Sequence, residues 1–221
     1  MSDILTRDGY HISVVQQPLT SFQEDVAATK RILALQDGPV VLVAHSYSGS
    51  VITEAGTVPS VAALVYVAAH MPDAGESEAD GKRFPSDLSR STAIRLTPDS
   101  FSYRNPAQFH PYFADMSAEQ VAFAARSQVL IANANFSGVI TTPAWRGKPS
   151  WMVVATKERV INPELGRWYA ARAKSQTVEV AGASNSVYVT RPKEVAAVIE
   201  GAAHHAPQAS DERSTGTGAR R

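Results

Sequence analysis

The chain contains no cysteine. Disulfide scaffolding, thiolate metal sites and thiol nucleophiles are therefore excluded. It has no excess charge either: 21 Lys+Arg balance 21 Asp+Glu, so its electrostatics call for neither nucleic acid nor an anionic membrane. No apolar run approaches the roughly 18 residues that a spanning helix needs. The first residues, Met1–Arg7, show no basic region followed by an apolar one, as a secretory leader would. No metal-ligand spacing, phosphate loop or dinucleotide fingerprint is present. The resulting expectations are a cytoplasmic location, no cofactor and no metal. The expected partner is a small-molecule substrate or ligand, with no nucleic acid and no membrane, and the oligomeric state stays open.

What remains is an alternation of apolar, β-branched runs with amphipathic stretches, which predicts an α/β protein with a mostly parallel sheet covered by helices on both faces. Strands are predicted at His11–Val15, Val40–Val43, Ala62–Ala69, Trp151–Ala155 and Thr177–Val180. A helix opens at the capping box Ser21-Phe22-Gln23-Glu24 and runs to Asp37-Gly38. Another follows Val43 and stops near Gly56. Asn162 caps a third, and a last one starts near Pro192. Between residues 71 and 149 the pattern breaks into Pro/Ser/Gly clusters and short helical pieces, one opened by Ser117-Ala118-Glu119-Gln120. This stretch is expected to form a helical lid. One domain is predicted over residues 9–205, with residues 206–221 a disordered tail.

The chemistry concentrates at Val43-Ala44-His45-Ser46-Tyr47-Ser48-Gly49. A buried strand runs into this segment and a helix leaves it, with almost no loop. Such a turn strains the serine backbone and lifts its hydroxyl clear of the sheet. Ala44 and Ser48 supply the small side chains that the close approach of strand and helix requires. The amide of Tyr47, at the helix start, is the candidate oxyanion donor.

The stretch Gly38–Gly49 resembles the elbow of small bacterial α/β hydrolases, commonly Gly-His-Ser-Tyr-Gly-Gly. Leu64–Ala69, Pro149–Trp151, Ala155-Thr156 and Val187–Val189 match the same family in order. The resemblance implies an α/β-hydrolase fold and an esterase-like serine hydrolase acting on acyl esters. It also implies a triad in the chain order Ser, acid, His. Ser46 takes the nucleophile place and Glu158, in Ala155-Thr156-Lys157-Glu158, the acid place.

The third place departs from the family. Where Ser-His-x-Val-Tyr-Val is usual, the chain reads Ser184-Asn185-Ser186-Val187-Tyr188-Val189. Asn185 stands at the histidine position, and an amide cannot accept the serine proton at neutral pH. His70, at the end of the strand after the elbow, is the alternative base. The family's front strands and His-Gly oxyanion loop also find no counterpart ahead of Gly9, as in an N-terminally truncated member. Three readings follow: a weak serine hydrolase with a degenerate triad, a silent pseudoenzyme that binds a small ligand under the lid, or a truncated remnant. Phe101, Tyr103, Phe109, Phe113, Phe123 and Trp145 are candidate pocket aromatics.

Overall fold

The computed structural model describes residues 1–205; the expected disordered tail, 206–221, lies outside them. The chain begins with helix α1 (Ser2–Arg7), ahead of the residue-9 boundary read from sequence, and buries Leu5. Helix α2 (Phe22–Leu33) follows. It is capped as expected, Ser21 Oγ accepting from Glu24 N at 3.1 Å. The reciprocal half of the box is absent, because the Glu24 carboxylate turns outward to Arg31. The helix ends at Leu33, short of the predicted Asp37, and residues 34–38 turn through Gly38 at φ 88°.

Strand β1 (Val40–Ser46), helix α3 (Ser48–Ala55) and strand β2 (Val61–Ala69) form the elbow unit. The lid then holds β3 (Ile94–Leu96), β4 (Phe101–Arg104), helix α4 (Ala118–Arg126) and β5 (Ile131–Ala132). The capping box of α4 is complete, with Ser117 and Gln120 satisfying each other's backbone donors at 2.9 and 3.2 Å. The lid was expected to be helical; instead β3, β4 and β5 make a small antiparallel sheet. Its strands are too short for an alternating pattern to stand out in sequence. The chain returns through β6 (Ser150–Ala155), α5 (Pro163–Ala173), β7 (Gln176–Val180), α6 (Val187–Thr190) and α7 (Pro192–His205).

The main sheet is parallel, as the sequence predicts, and its strand order is β1-β2-β6-β7. Period-two alternation along β2 separates two cores. Leu64 and Tyr66 face α5, packing with Met152, Leu165 and Tyr169. Ala63, Val65 and Val67 face α7, packing with Trp151, Val195 and Ile199. Leu5 of α1 joins this second core.

The predicted strand His11–Val15 is not a strand, and it does not pair with β1. Side chains hold residues 10–19 instead. Tyr10 and Ile12 pack on the α7 core, Ser13 Oγ donates to Gln36, and Leu19 N donates to Asp25 Oδ1 at 2.8 Å. An apolar β-branched run specifies an extended chain, but a ladder also needs a neighbour in register. Among the described residues β1 therefore has a ladder on one side only.

Candidate active site

Backbone strain marks the site. Ser46 ends β1 with φ 55°, in the left-handed region that non-glycine residues rarely occupy. Across the ladder, His45 pairs with Val67 but Ser46 pairs with Ala69. The skipped residue, Ala68, bulges out with φ 43°. A bulge beside an elbow re-aims the strand end, and here it brings His70 N within 3.2 Å of the Ser46 carbonyl oxygen. The closest approach of helix and strand falls one residue later than expected. It is at Gly49, not Ser48: a Cβ on Gly49 would lie 2.1 Å from the His70 carbonyl oxygen. Ser48 has room to donate to Gln17 Oε1 at 2.7 Å.

Behind the elbow, the Tyr47 side chain reaches a buried network. Its hydroxyl donates to Asp25 Oδ2 at 2.7 Å, and Asn135 Nδ2 donates to the same oxygen at 2.9 Å. Desolvation and the Asp25 carboxylate push the phenol well above its usual pKa. The network joins α2, the elbow and the lid, and its Asp25 is fully buried. In sequence the hint was an aspartate on the inward stripe of α2, between Phe22 and Val26.

Glu158 and Asn185, 27 residues apart, meet. Asn185 Nδ2 donates to Glu158 Oε2 at 2.9 Å, with the two residues 1% and 7% exposed. Glu158 Oε1 accepts from the amides of Val160 and Ile161 at 2.6 and 3.1 Å. These bonds favour the carboxylate, but burial dominates and pushes Glu158 up to about 7. The Asn185 loop also reaches the elbow, for the His45 ring nitrogen Nε2 lies 2.8 Å from the Asn185 carbonyl oxygen. The His45 ring packs 4.6 Å from that of Tyr188, and desolvation lowers its pKa to about 4. His45 is thus a neutral prop under the loop.

The lid clamps this loop through Asp115. Its carboxylate accepts from Ser184 N at 3.0 Å, Ser186 Oγ at 3.0 Å and Thr190 Oγ1 at 2.7 Å, and from Ser184 Oγ. An open cleft of about 480 Å³ lies where this clamp meets the Glu158 loop, between Pro111, Asp115, Glu158 and Gly182. His70 belongs to a different pair. Its Nε2 lies 3.2 Å from Glu78 Oε1, and its Nδ1 has no partner. Burial lowers His70 to about 3 and raises Glu78 to about 8, so the pair is held neutral. Glu78, Arg104, Asp115 and Asp25 were not singled out in the sequence.

The candidate pocket aromatics mostly do other work. Phe109 and Phe113 stack at 4.6 Å in the lid's own core, Trp145 Nε1 donates to the Pro72 carbonyl, and Phe123 is 64% exposed. Among the described residues no group of His, Asp and Glu is arranged to hold a metal ion, and no helix is long and apolar enough to cross a membrane.

Comparison with known proteins gives the following. Residues 6–198 match the model described as the Alpha/beta hydrolase family. The polyneuridine aldehyde esterase structure superposes with a TM-score of 0.75 at 16% identity, covering 90% of each chain. A pyrethroid hydrolase from Sphingobium faniae gives 0.72 at 17%, covering 91% of this chain and 89% of its own. A methylesterase from Arabidopsis gives 0.71 at 15%, covering 92% and 91%. No curated protein sequence matches the chain.

Proposed function

The chain belongs to the alpha/beta hydrolase family, and on that premise we propose that it is a serine hydrolase of small acyl esters whose turnover is slow because Asn185 stands where the base belongs. One observation carries the reading: Asn185 Nδ2 donates to Glu158 Oε2 at 2.9 Å. A catalytic imidazole uses one ring N–H to bond the acid and its second nitrogen to take the serine proton. Asn185 reproduces the first contact and has no group for the second. In this account Ser46 is the nucleophile, Glu158 is the acid and the Tyr47 amide is an oxyanion donor. The strained Ser46 backbone supports the assignment.

A substitute base at His70 is disfavoured. One ring nitrogen is engaged with Glu78, and burial holds the group near 3, too weak a base at neutral pH. The same Asn185–Glu158 bond favours a second reading, a pseudoenzyme that binds a small ligand without turnover. A fluorophosphonate probe separates the two. Slow covalent labelling at Ser46, lost in Ser46→Ala, supports the hydrolase; no labelling at millimolar probe supports the pseudoenzyme.

A further inference from the structure

Arg104 closes β4 inside the lid. Its backbone is pinned on both sides by Gln128, whose Oε1 accepts from Arg104 N at 2.8 Å and whose Nε2 donates to the Arg104 carbonyl at 2.9 Å. The guanidinium carbon lies 5.2 Å from the centroid of the Phe113 ring. Its Nε is buried and has no hydrogen-bond partner, and the side chain forms no ion pair among the described residues. The contrast with Arg172 is direct. Arg172 Nε is orphaned in the same way, but its terminal nitrogens grip Glu76 at 2.8 Å and the Met71 carbonyl at 2.7 Å.

A half-buried cation with no counter-ion favours an anion that can approach it. Two carboxyl groups lie within its electrostatic reach, Glu78 and Glu158. Neither is a firm counter-ion at neutral pH, since burial raises them to about 8 and about 7. Two further polar atoms are orphaned in the same region, Glu78 Oε2 and His70 Nδ1. Arg104 also bears electrostatically on His45 and Tyr188, which flank the elbow and the Asn185 loop. The unpaired guanidinium therefore belongs to the region between the His70–Glu78 pair and the Glu158–Asn185 pair.

We propose that Arg104 is the anion-recognition residue of this site and that its ligand is a small monocarboxylate with an apolar or aromatic body. A carboxylate presents two oxygens that match the planar guanidinium fork. A single guanidinium beside two carboxyl groups suits one negative charge better than two. Tyr188, 38% exposed, supplies apolar surface for the ligand body. The carboxylate belongs either to a half-ester substrate or to a product acid. The proposal deepens the reading of a hydrolase site, on which it rests for the location of the ligand, but it is tested by binding and not by turnover.

The experiment is isothermal titration of the full chain with benzoate and with benzamide, its neutral isostere. Benzoate should bind about 10-fold or more tightly, and Arg104→Gln, which keeps the stem on Phe113, should bring the two within about 2-fold. Arg104→Lys should keep part of the preference, and it decides the matter with the unmodified protein if Arg104→Gln fails to fold. Monomethyl terephthalate, a half-ester, distinguishes the sources. Arg104-dependent binding of it assigns the carboxylate to substrate; binding of benzoate alone assigns it to product. Equal affinity for benzoate and benzamide, binding of neither at millimolar concentration, or tighter binding of phenyl phosphate would overturn the proposal. Ser46 labelling is indifferent to all of these outcomes, so failure here leaves the hydrolase reading standing, and the reverse.

Discussion

Asn185 Nδ2 and Glu158 Oε2 are joined at 2.9 Å, with both residues buried. The carboxylate is further held by the amides of Val160 and Ile161, and the loop carrying Asn185 is clamped by Asp115 and propped by His45. An amide thus occupies a position held firmly on the Glu158 carboxyl group. Such an arrangement is stable without being catalytic, because orientation and proton transfer are separate properties of an imidazole and only the first survives in asparagine.

The Asp25 network should be the most sensitive polar feature of the fold. Asp25→Ala would leave Leu19 N, Tyr47 Oη and Asn135 Nδ2 without their shared acceptor in the interior. The expected cost is on the order of 3–5 kcal/mol, against about 1–2 kcal/mol for Tyr47→Phe. Urea denaturation of both variants measures this. A loss below about 1 kcal/mol for Asp25→Ala would mean that water replaces the carboxylate.

Stability should peak on the acid side of neutrality. Glu78 and Glu158 titrate at about 8 and about 7 in the folded chain, above their ordinary 4.5. The folded state holds their protons more tightly, so they remove stability as pH rises toward 8. His45 and His70 titrate at about 4 and about 3, below 6.5. Here the unfolded state binds protons more tightly, so stability falls as pH drops below 6.5. The two effects oppose each other between 4.5 and 6.5. The melting temperature should therefore be flat across that range and decline on either side. Glu78→Gln should remove part of the decline between pH 6.5 and 8, on the order of 1–2 kcal/mol. An unchanged alkaline limb in Glu78→Gln would show that Glu78 is ionised in the fold.

Much of the fold was legible because its strands read as unbroken apolar runs, those of β2 and β6 buried on both faces: Val40–Val43, Ala62–Ala69 and Trp151–Ala155 each coincide with an observed strand. The strained Ser46 and the Glu158–Asn185 contact were legible because strand ends carry these residues in a recurring order. His11–Val15 misled, since extended conformation can be read locally but pairing depends on a neighbour. The lid was the least legible part. Arg104, Glu78 and Asp115 act across long separations in sequence, and nothing local distinguishes them from the solvated charges around them. Arg104 becomes conspicuous only when the fold buries its Nε without a partner and pairs no carboxylate with the guanidinium.

The account is tested most directly by the initial rate of p-nitrophenyl acetate hydrolysis in the unmodified protein, in Asn185→His and in Asn185→His/Ser46→Ala. The unmodified protein should run barely above background. Asn185→His should raise the rate by less than the roughly 10⁴-fold that a complete triad base contributes, because the preceding strand-and-loop oxyanion donor of the family has no counterpart among the described residues. The added Ser46→Ala should return the rate to background. Two results would contradict the account: efficient hydrolysis by the unmodified protein that His70→Ala destroys, which makes His70 the base, or a folded Asn185→His variant that gains nothing.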